Sequence, residues 1–454
     1  MYSKFVISLV VVFTMIALEG CQPEKVVPKN IIVLIADGCG FNHIDAASIY
    51  QYGQTGMQVY EKFPVKYAVS TYSADADKYD PVQAWATFDW VLHRTTDSAA
   101  AATAIATGTK TNNGYLGVGT KGEVLETILE RAEKLNKATG VVTSVPFFHA
   151  TPAAFCVHDT SRDNYSGIIN YMYYTSPADV IMGSGNPLYD DNGRLLSDTL
   201  SAYAEKKASW QKLHDGISGA DADGDGDADK WNFIEARTDF QKFMDGKTPQ
   251  RVLGLAEVRS TLQEGRSGDK TALPYQVPFI ETIPTLAEIS KAALNVLDED
   301  PDGLFLMIEG GAVDWASHDN KTGRMIEEMI EFNKAVECVV EWVETNSNWD
   351  ETLVIVTADH ETGYLTGPGS GRQDSTAAKT TKLWQPLINN GTGNLPDLEW
   401  HTDDHSNSLV AFYAKGVGCD KFQIYADEKD PVRGQYIDNV EIGQVMLGLW
   451  VLGK

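Results

Sequence analysis

Basic residues are in short supply: 37 lysines and arginines stand against 63 acidic residues, for a formal net charge of -26. That deficit argues against nucleic acid as a main partner, because a phosphate backbone needs Lys and Arg to replace its counterions. Surface acid of this kind mostly serves solubility. Cysteine is scarce too. The five are Cys21, Cys39, Cys156, Cys338 and Cys419, and none of their spacings is CxxC or zinc-finger-like, which excludes a cysteine-built metal module. In an exported chain the last four could pair, or they could be buried thiols. Long apolar runs are missing except for Phe5–Leu18, which is too short for a comfortable membrane span. There is no internal repeat. What remains, 43% hydrophobic with an ordinary charged fraction, is the profile of a globular chain with a large core.

The one apolar run has a direction. Lys4 precedes it and Leu-Glu-Gly-Cys (18–21) ends it, which is the layout of a signal peptide over residues 1–20. A Cys directly after a small residue resembles a bacterial lipobox, so Cys21 is expected to carry a lipid anchor. Glu19 is atypical there, and plain secretion is the alternative. Both readings export the chain, to the periplasm or as a membrane-anchored lipoprotein of a bacterium. Residues 21–29 read as a tether and residues 30–454 as one catalytic domain.

Four further apolar runs read as buried parallel strands: Ile31–Ala36, Gly140–Val145, Leu304–Ile308 and Leu353–Thr357. Helical patterns over Ala99–Thr107, Leu286–Leu297 and Met325–Glu344 alternate with them. This alternation predicts an α/β fold, a three-layer α/β/α sandwich around a large, mostly parallel sheet. Insertions are expected around 165–280 and 362–400, the latter a long Gly/Ser/Thr/Asn-rich loop near the site.

Each strand runs into chemistry. Asp37 follows the first; His149 and Thr151 follow the second. Glu309, Asp314 and His318 follow the third, and Asp359 and His360 the fourth. In open α/β sheets ligands bind beyond the carboxyl ends of the strands. One such end is more often a capping Asp or a surface His; four together make coincidence a poor explanation.

Two segments sharpen this. In TTDSAAAATAIATG (95–108), Ser98 opens an Ala-rich helix whose N–H groups and dipole suit an anion. Taken alone, the plainer reading is that Thr96, Asp97 or Ser98 is only an N-cap. In EGGAVDWASH (309–318), Asp314 and His318 are four apart and share a helix face, a spacing that suits one zinc ion. A lone Asp–His pair is more often structural. Asp359-His360 repeats the pairing and His405 adds a donor, with His401 a weaker competitor.

In order, Asp37, TDSA (96–99), HATP (149–152), Arg162, EGGAVDWASH (309–318), TADH (357–360) and His405 resemble the alkaline phosphatases over nearly the whole chain from Asn30 onward. The resemblance implies that Ser98 is phosphorylated during hydrolysis of phosphate monoesters. It implies one Zn²⁺ at Asp314, His318 and His405 and a second at Asp37, Asp359 and His360. A third metal, usually Mg²⁺, would sit at Asp37, Thr151 and Glu309. Arg162 would clamp two phosphate oxygens with its fork of donors, and the chain would form a homodimer. The sequence departs from the enterobacterial pattern at His149, where that group has Asp, and at Trp315, where it has Lys. Both positions bear on the third metal and on water contacts to phosphate.

The acidic run DADGDGDAD (221–229) partly matches a calcium loop through Asp221, Asp223, Asp225 and Asp229. Its twelfth position is Asn232 rather than Glu. A structural Ca²⁺ site and a solvated turn are equally compatible with it. Two rival functions differ in other ways. Two-metal phosphodiesterases usually carry a Thr nucleophile in another local motif. A ligand-binding lipoprotein with a decayed enzyme fold would have lost at least one ligand, and here none is lost.

Overall fold

The apolar runs become adjacent strands in the computed structural model of the chain, which describes residues 27–196, 229–371 and 384–452. The strands are β1 (Asn30–Ile35), β2 (Val65–Ser70), β3 (Ala138–Pro146), β4 (Val180–Ser184), β5 (Asn232–Ile234), β6 (Val252–Leu255), β7 (Leu304–Glu309), β8 (Thr352–Thr357), β9 (Glu361–Thr362), β10 (His405–Ser406), β11 (Val410–Gly416), β12 (Glu428–Asp430) and β13 (Gly434–Asp438). Eleven form one sheet in the order β12-β13-β2-β11-β8-β1-β7-β3-β4-β6-β5, and β9 pairs with β10 apart from it. From β8 to β5 every pairing is parallel. Antiparallel pairs gather around β11 and β12.

Strands covered on both faces need apolar residues at every position, and β1, β7 and β8 are buried throughout. The helices Phe41–Tyr52, Leu286–Leu297 and Thr322–Asn346 pack together as one layer. Ser98–Thr107, Ile128–Glu133, Ala150–Cys156 and Asn439–Leu449 pack as another, and both layers reach β3 and β7. The α/β sandwich with a mostly parallel sheet is therefore as expected. Segment 165–280 supplies β4, β5 and β6 at the sheet's edge as well as loop.

The Ala-rich helix Ser98–Thr107 is buried along its whole length. Its small side chains let Asn439–Leu449 come close. A Cβ on Gly443 would stand 2.3 Å from the Gly108 amide nitrogen and 2.7 Å from the Ile105 carbonyl oxygen. Neither can retreat without moving the helix that begins at Ser98. Gly443→Ala is expected to destabilise the fold by about 1–3 kcal/mol, read as a lower denaturant midpoint at unchanged slope. An unshifted midpoint would mean that the two helices separate freely.

Cys39, Cys156, Cys338 and Cys419 are free thiols. No helix among the described residues is long and apolar enough to cross a membrane. The signal segment, Cys21 and Asp221, Asp223 and Asp225 lie outside the described residues.

Candidate active site

Parallel register sets the strand ends level. Ile35 pairs with Thr357 on one side and with Glu309 on the other, and Thr143 pairs with Glu309. Asp37 and Asp359 each lie two residues past those partners, so both leave the sheet at the same height. Glu309 is the last residue of its strand. Gly38 turns the chain straight after Asp37 with φ +72°, and a Cβ there would lie 2.7 Å from Asp314 Oδ1. Its N–H donates to Asp359 Oδ1 at 3.2 Å.

The first group that could hold a metal ion is Asp314, His318 and His405. Helix Ala312–His318 sets the first two one turn apart. The β9–β10 ribbon pairs His405 with Thr362 and so delivers the third from far along the chain. His318 Nε2 lies 3.3 Å from Asp314 Oδ2 and 3.1 Å from His405 Nε2. On the far side of each ring, His318 Nδ1 meets the Asp403 carbonyl at 2.6 Å and His405 Nδ1 meets the Thr96 carbonyl at 2.8 Å. A carbonyl can only accept, so each Nδ1 carries a proton, and both Nε2 atoms turn to one point. Two ring nitrogens that close need a proton or a metal cation between them. His318 shows the same need for positive charge. Burial opposes its protonation, yet the Asp314 carboxylate outweighs burial and pushes its pKa up to about 9.

The second group is Asp37, Asp359 and His360, all wholly buried. His360 Nε2 is 3.4 Å from Asp37 Oδ1 and 3.4 Å from Asp359 Oδ2. Neither oxygen receives a hydrogen bond, although both are buried. Beside them Thr151 Oγ1 donates to Asp37 Oδ2 at 3.5 Å. Glu309 takes a hydrogen bond from Thr143 on Oε2, while its Oε1 is buried without a donor. Burial is the largest cause raising all three acids; like charge adds to it, and hydrogen bonding from Thr143 and Thr151 holds Glu309 back. Asp37 is pushed well above the carboxylate range, with Asp359 the largest of its charged neighbours. Asp359 rises to about 6 and Glu309 to about 7. Uncompensated buried carboxylates are costly, and the unpartnered oxygens face one another's charges. The donor sets fit metal ions: carboxylate and imidazole for zinc, oxygen alone around Thr151 and Glu309 for magnesium.

Ser98 is released from capping. Asp97 is the N-cap of its helix and accepts from the Ala100 amide at 2.9 Å. The Ser98 hydroxyl instead lies 3.2 Å from His360 Nε2, with the residue 2% exposed. Arg162 Nη1 donates to the other Asp97 oxygen at 3.0 Å, so the capping residue also orients the guanidinium. Ser98, Arg162, His149, Trp315, Asp314 and His405 all line one open cleft of about 390 Å³. His149 and Trp315 meet there edge to face, ring centres 5.5 Å apart. Burial, with Arg162 next, holds His149 down to about 4. His401 lies elsewhere, bonded to Thr366 Oγ1 at 2.6 Å and packed on Phe88. Asp229 offers its backbone carbonyl to Arg251 at 2.9 Å, away from this cleft.

Three contributors were missed in the sequence. Thr362 donates from Oγ1 to Asp314 Oδ1 at 2.5 Å, and Thr143 bonds Glu309. Glu264 lines the cleft from within the stretch read as an insertion. Threonines in strands and an acid in a loop carry no spacing signal.

The alkaline phosphatase family model matches residues 28–393. Alkaline phosphatase 3 of Bacillus subtilis (strain 168) is 32% identical over 353 residues, 76% of this chain and 63% of that protein. The match thus spans less than two thirds of that relative's own length. Alkaline phosphatase of Escherichia coli (strain K12) is 29% identical over 397 residues, 82% of this chain and 79% of that one. Among solved structures, the alkaline phosphatase of the Antarctic bacterium TAB5 shares the fold. Its TM-score is 0.62 at 24% identity, covering 94% of this chain and 100% of that one.

Proposed function

Because this chain belongs to the alkaline phosphatase family, we propose that it hydrolyses phosphate monoesters through a phosphoserine at Ser98. One observation carries the reading: Asp97 takes over the capping role and leaves the Ser98 hydroxyl 3.2 Å from His360, inside a buried three-ligand group. Asp314, His318 and His405 would hold one zinc ion, Asp37, Asp359 and His360 a second, and Asp37, Thr151 and Glu309 a magnesium ion. Bound there, the metals would supply charge for the phosphoryl oxygens and lower the pKa of the attacking oxygens.

The chain's own residues do the rest. The phosphoryl group sits over the N-terminus of the Ser98–Thr107 helix, whose free N–H groups suit its oxygens. Arg162, held by Asp97, presents its fork of donors to two of them. Ser98 Oγ attacks phosphorus, the bond to the substrate alcohol breaks in line, and the alcohol leaves. Water then cleaves the phosphoserine and releases inorganic phosphate. The Asp403 and Thr96 carbonyls keep His318 and His405 in the tautomer that leaves Nε2 free. Phosphoryl transfer needs little beyond positioning and charge neutralisation. Export by the 1–20 segment, an anchor at Cys21 and a homodimer belong to the same proposal on sequence grounds.

The first assay is p-nitrophenyl phosphate hydrolysis at alkaline pH, before and after chelation. Activity is expected to vanish with EDTA and to return when Zn²⁺ and Mg²⁺ are both restored, while the matching diester stays a poor substrate. Folded, metal-loaded protein without monoesterase activity would overturn the reading, and faster diester cleavage would move it to the diesterases.

A further inference from the structure

One wholly buried hydroxyl touches a residue from each of the two groups that could hold a metal ion. Thr362 Oγ1 lies 2.5 Å from Asp314 Oδ1, in the first group, and 3.3 Å from His360 Nδ1, in the second. Its backbone is tied to both as well. The Thr362 N–H donates to the carbonyl of Gly38, the residue after Asp37, at 3.0 Å, and the β9–β10 ribbon pairs Thr362 with His405. Gly38 leaves room for this: a Cβ there would lie 2.8 Å from Thr362 Oγ1.

The direction of the two bonds follows from the donors. A hydroxyl has one proton to give and lone pairs with which to accept. An ionised carboxylate only accepts, and the Asp314 contact is the shorter one, so the Thr362 proton points to Asp314. The oxygen is left to accept, and His360 Nδ1 carries the proton it accepts. The chain of bonds runs from His360 Nδ1–H to Thr362 Oγ1–H to Asp314 Oδ1. Among the described residues no other hydrogen bond reaches His360 Nδ1 or Asp314 Oδ1.

Each bond fixes the working end of its partner. His360 is held with Nε2 toward Ser98 Oγ at 3.2 Å and toward Asp37 and Asp359, both at 3.4 Å. Asp314 is held with Oδ2 3.3 Å from His318 Nε2. His318 and His405 lean on separate backbone carbonyls for the same service; Thr362 serves a member of each group at once.

We propose that Thr362 is a positioning residue shared by the two metal groups, its one hydroxyl setting the His360 tautomer and the Asp314 carboxylate together. The inference rests on the two-zinc reading and deepens it. Removing the hydroxyl leaves a buried N–H and a buried carboxylate oxygen without their partner, one in each group.

The test uses Thr362→Val, which keeps the side chain's shape, and Thr362→Ser, which keeps the hydroxyl. Zinc is titrated into the chelator-stripped full chain against a competing chelator, with magnesium present. The wild type is expected to bind two zinc ions, and Thr362→Val to bind both about 10–100-fold more weakly. Thr362→Ser is expected to recover most of that loss. Nitrogen NMR on labelled histidine reads the tautomers: in the zinc-loaded wild type the zinc-bound rings are expected to carry their proton on Nδ1, and one such Nδ1–H signal to shift in Thr362→Val. A zinc-bound ring without a proton on Nδ1 overturns the proposal on the wild type alone, even if the valine variant does not fold. Unchanged zinc binding in Thr362→Val, weakening confined to one zinc ion, or a serine variant no better than valine overturns it too. Wild-type protein that binds no zinc overturns the two-zinc reading itself.

Discussion

Ser98→Ala is expected to lower kcat for monoester hydrolysis by on the order of 10³-fold or more, with zinc and magnesium content unchanged. A nucleophile that acts with its neighbours as one unit takes most of the catalysis with it when removed, and binding groups leave a residue of rate. Ser98 heads its helix, but Asp97 supplies the cap, so alanine leaves the helix start in place. The lost hydroxyl faces His360 at 3.2 Å and supports no backbone amide among the described residues. Two measurements separate roles: single-turnover phosphate labelling of the protein, and metal content by mass spectrometry. Loss of metal in parallel with activity would make Ser98 a ligand support and not a nucleophile. A variant that still becomes labelled would point to another acceptor.

The second large effect has two signs. Asp37 belongs to the proposed second zinc group and the proposed magnesium group, near His360 at 3.4 Å and Thr151 at 3.5 Å. Asp37→Asn is expected to weaken metal binding about 100-fold or more, since loss even of an outer-shell partner costs 10–100-fold. Activity should fall with it. In chelator the order reverses. Burial and the charges of Asp359, Asp314 and Glu309 push the Asp37 carboxyl well above its usual range, so the metal-free wild type holds this acid against repulsion. The amide removes one member of that set, and the chelated variant is expected to unfold about 1–3 kcal/mol later than the chelated wild type. Denaturant midpoints with and without EDTA read both halves. A chelated variant less stable than the chelated wild type would show that Asp37 is held by hydrogen bonds rather than against neighbouring charge.

Much of the site was legible because its acids and histidines follow uninterrupted apolar runs. IIVLIA ahead of Asp37 and LVIVT ahead of Asp359 read as covered strands, and covered parallel strands end at a common edge. The Asp314–His318 pair was legible from helical spacing, and it is found on one turn of Ala312–His318. The helical pattern starts at Met325, three residues after the observed start at Thr322, where no side chain caps the helix and the sequence carries no start signal. Segment 165–280 read as insertion because its strands β4, β5 and β6 are short and separated by polar stretches.

The sequence by itself determined the fold class, the strand ends that carry candidate ligands and the identity of most of those candidates, because periodicity and chain order are local properties. Only the tertiary structure decided which donors meet. His405 reaches Asp314 through the β9–β10 pairing, and His401, four residues earlier, turns away to Thr366. Asp97, not Ser98, became the cap, which released the hydroxyl toward His360. Glu264 entered the cleft from a segment with no motif. Each of these depends on contacts between residues far apart in the chain. Side-chain direction at such contacts is set by packing and register across the sheet, and no run of neighbouring residues encodes it.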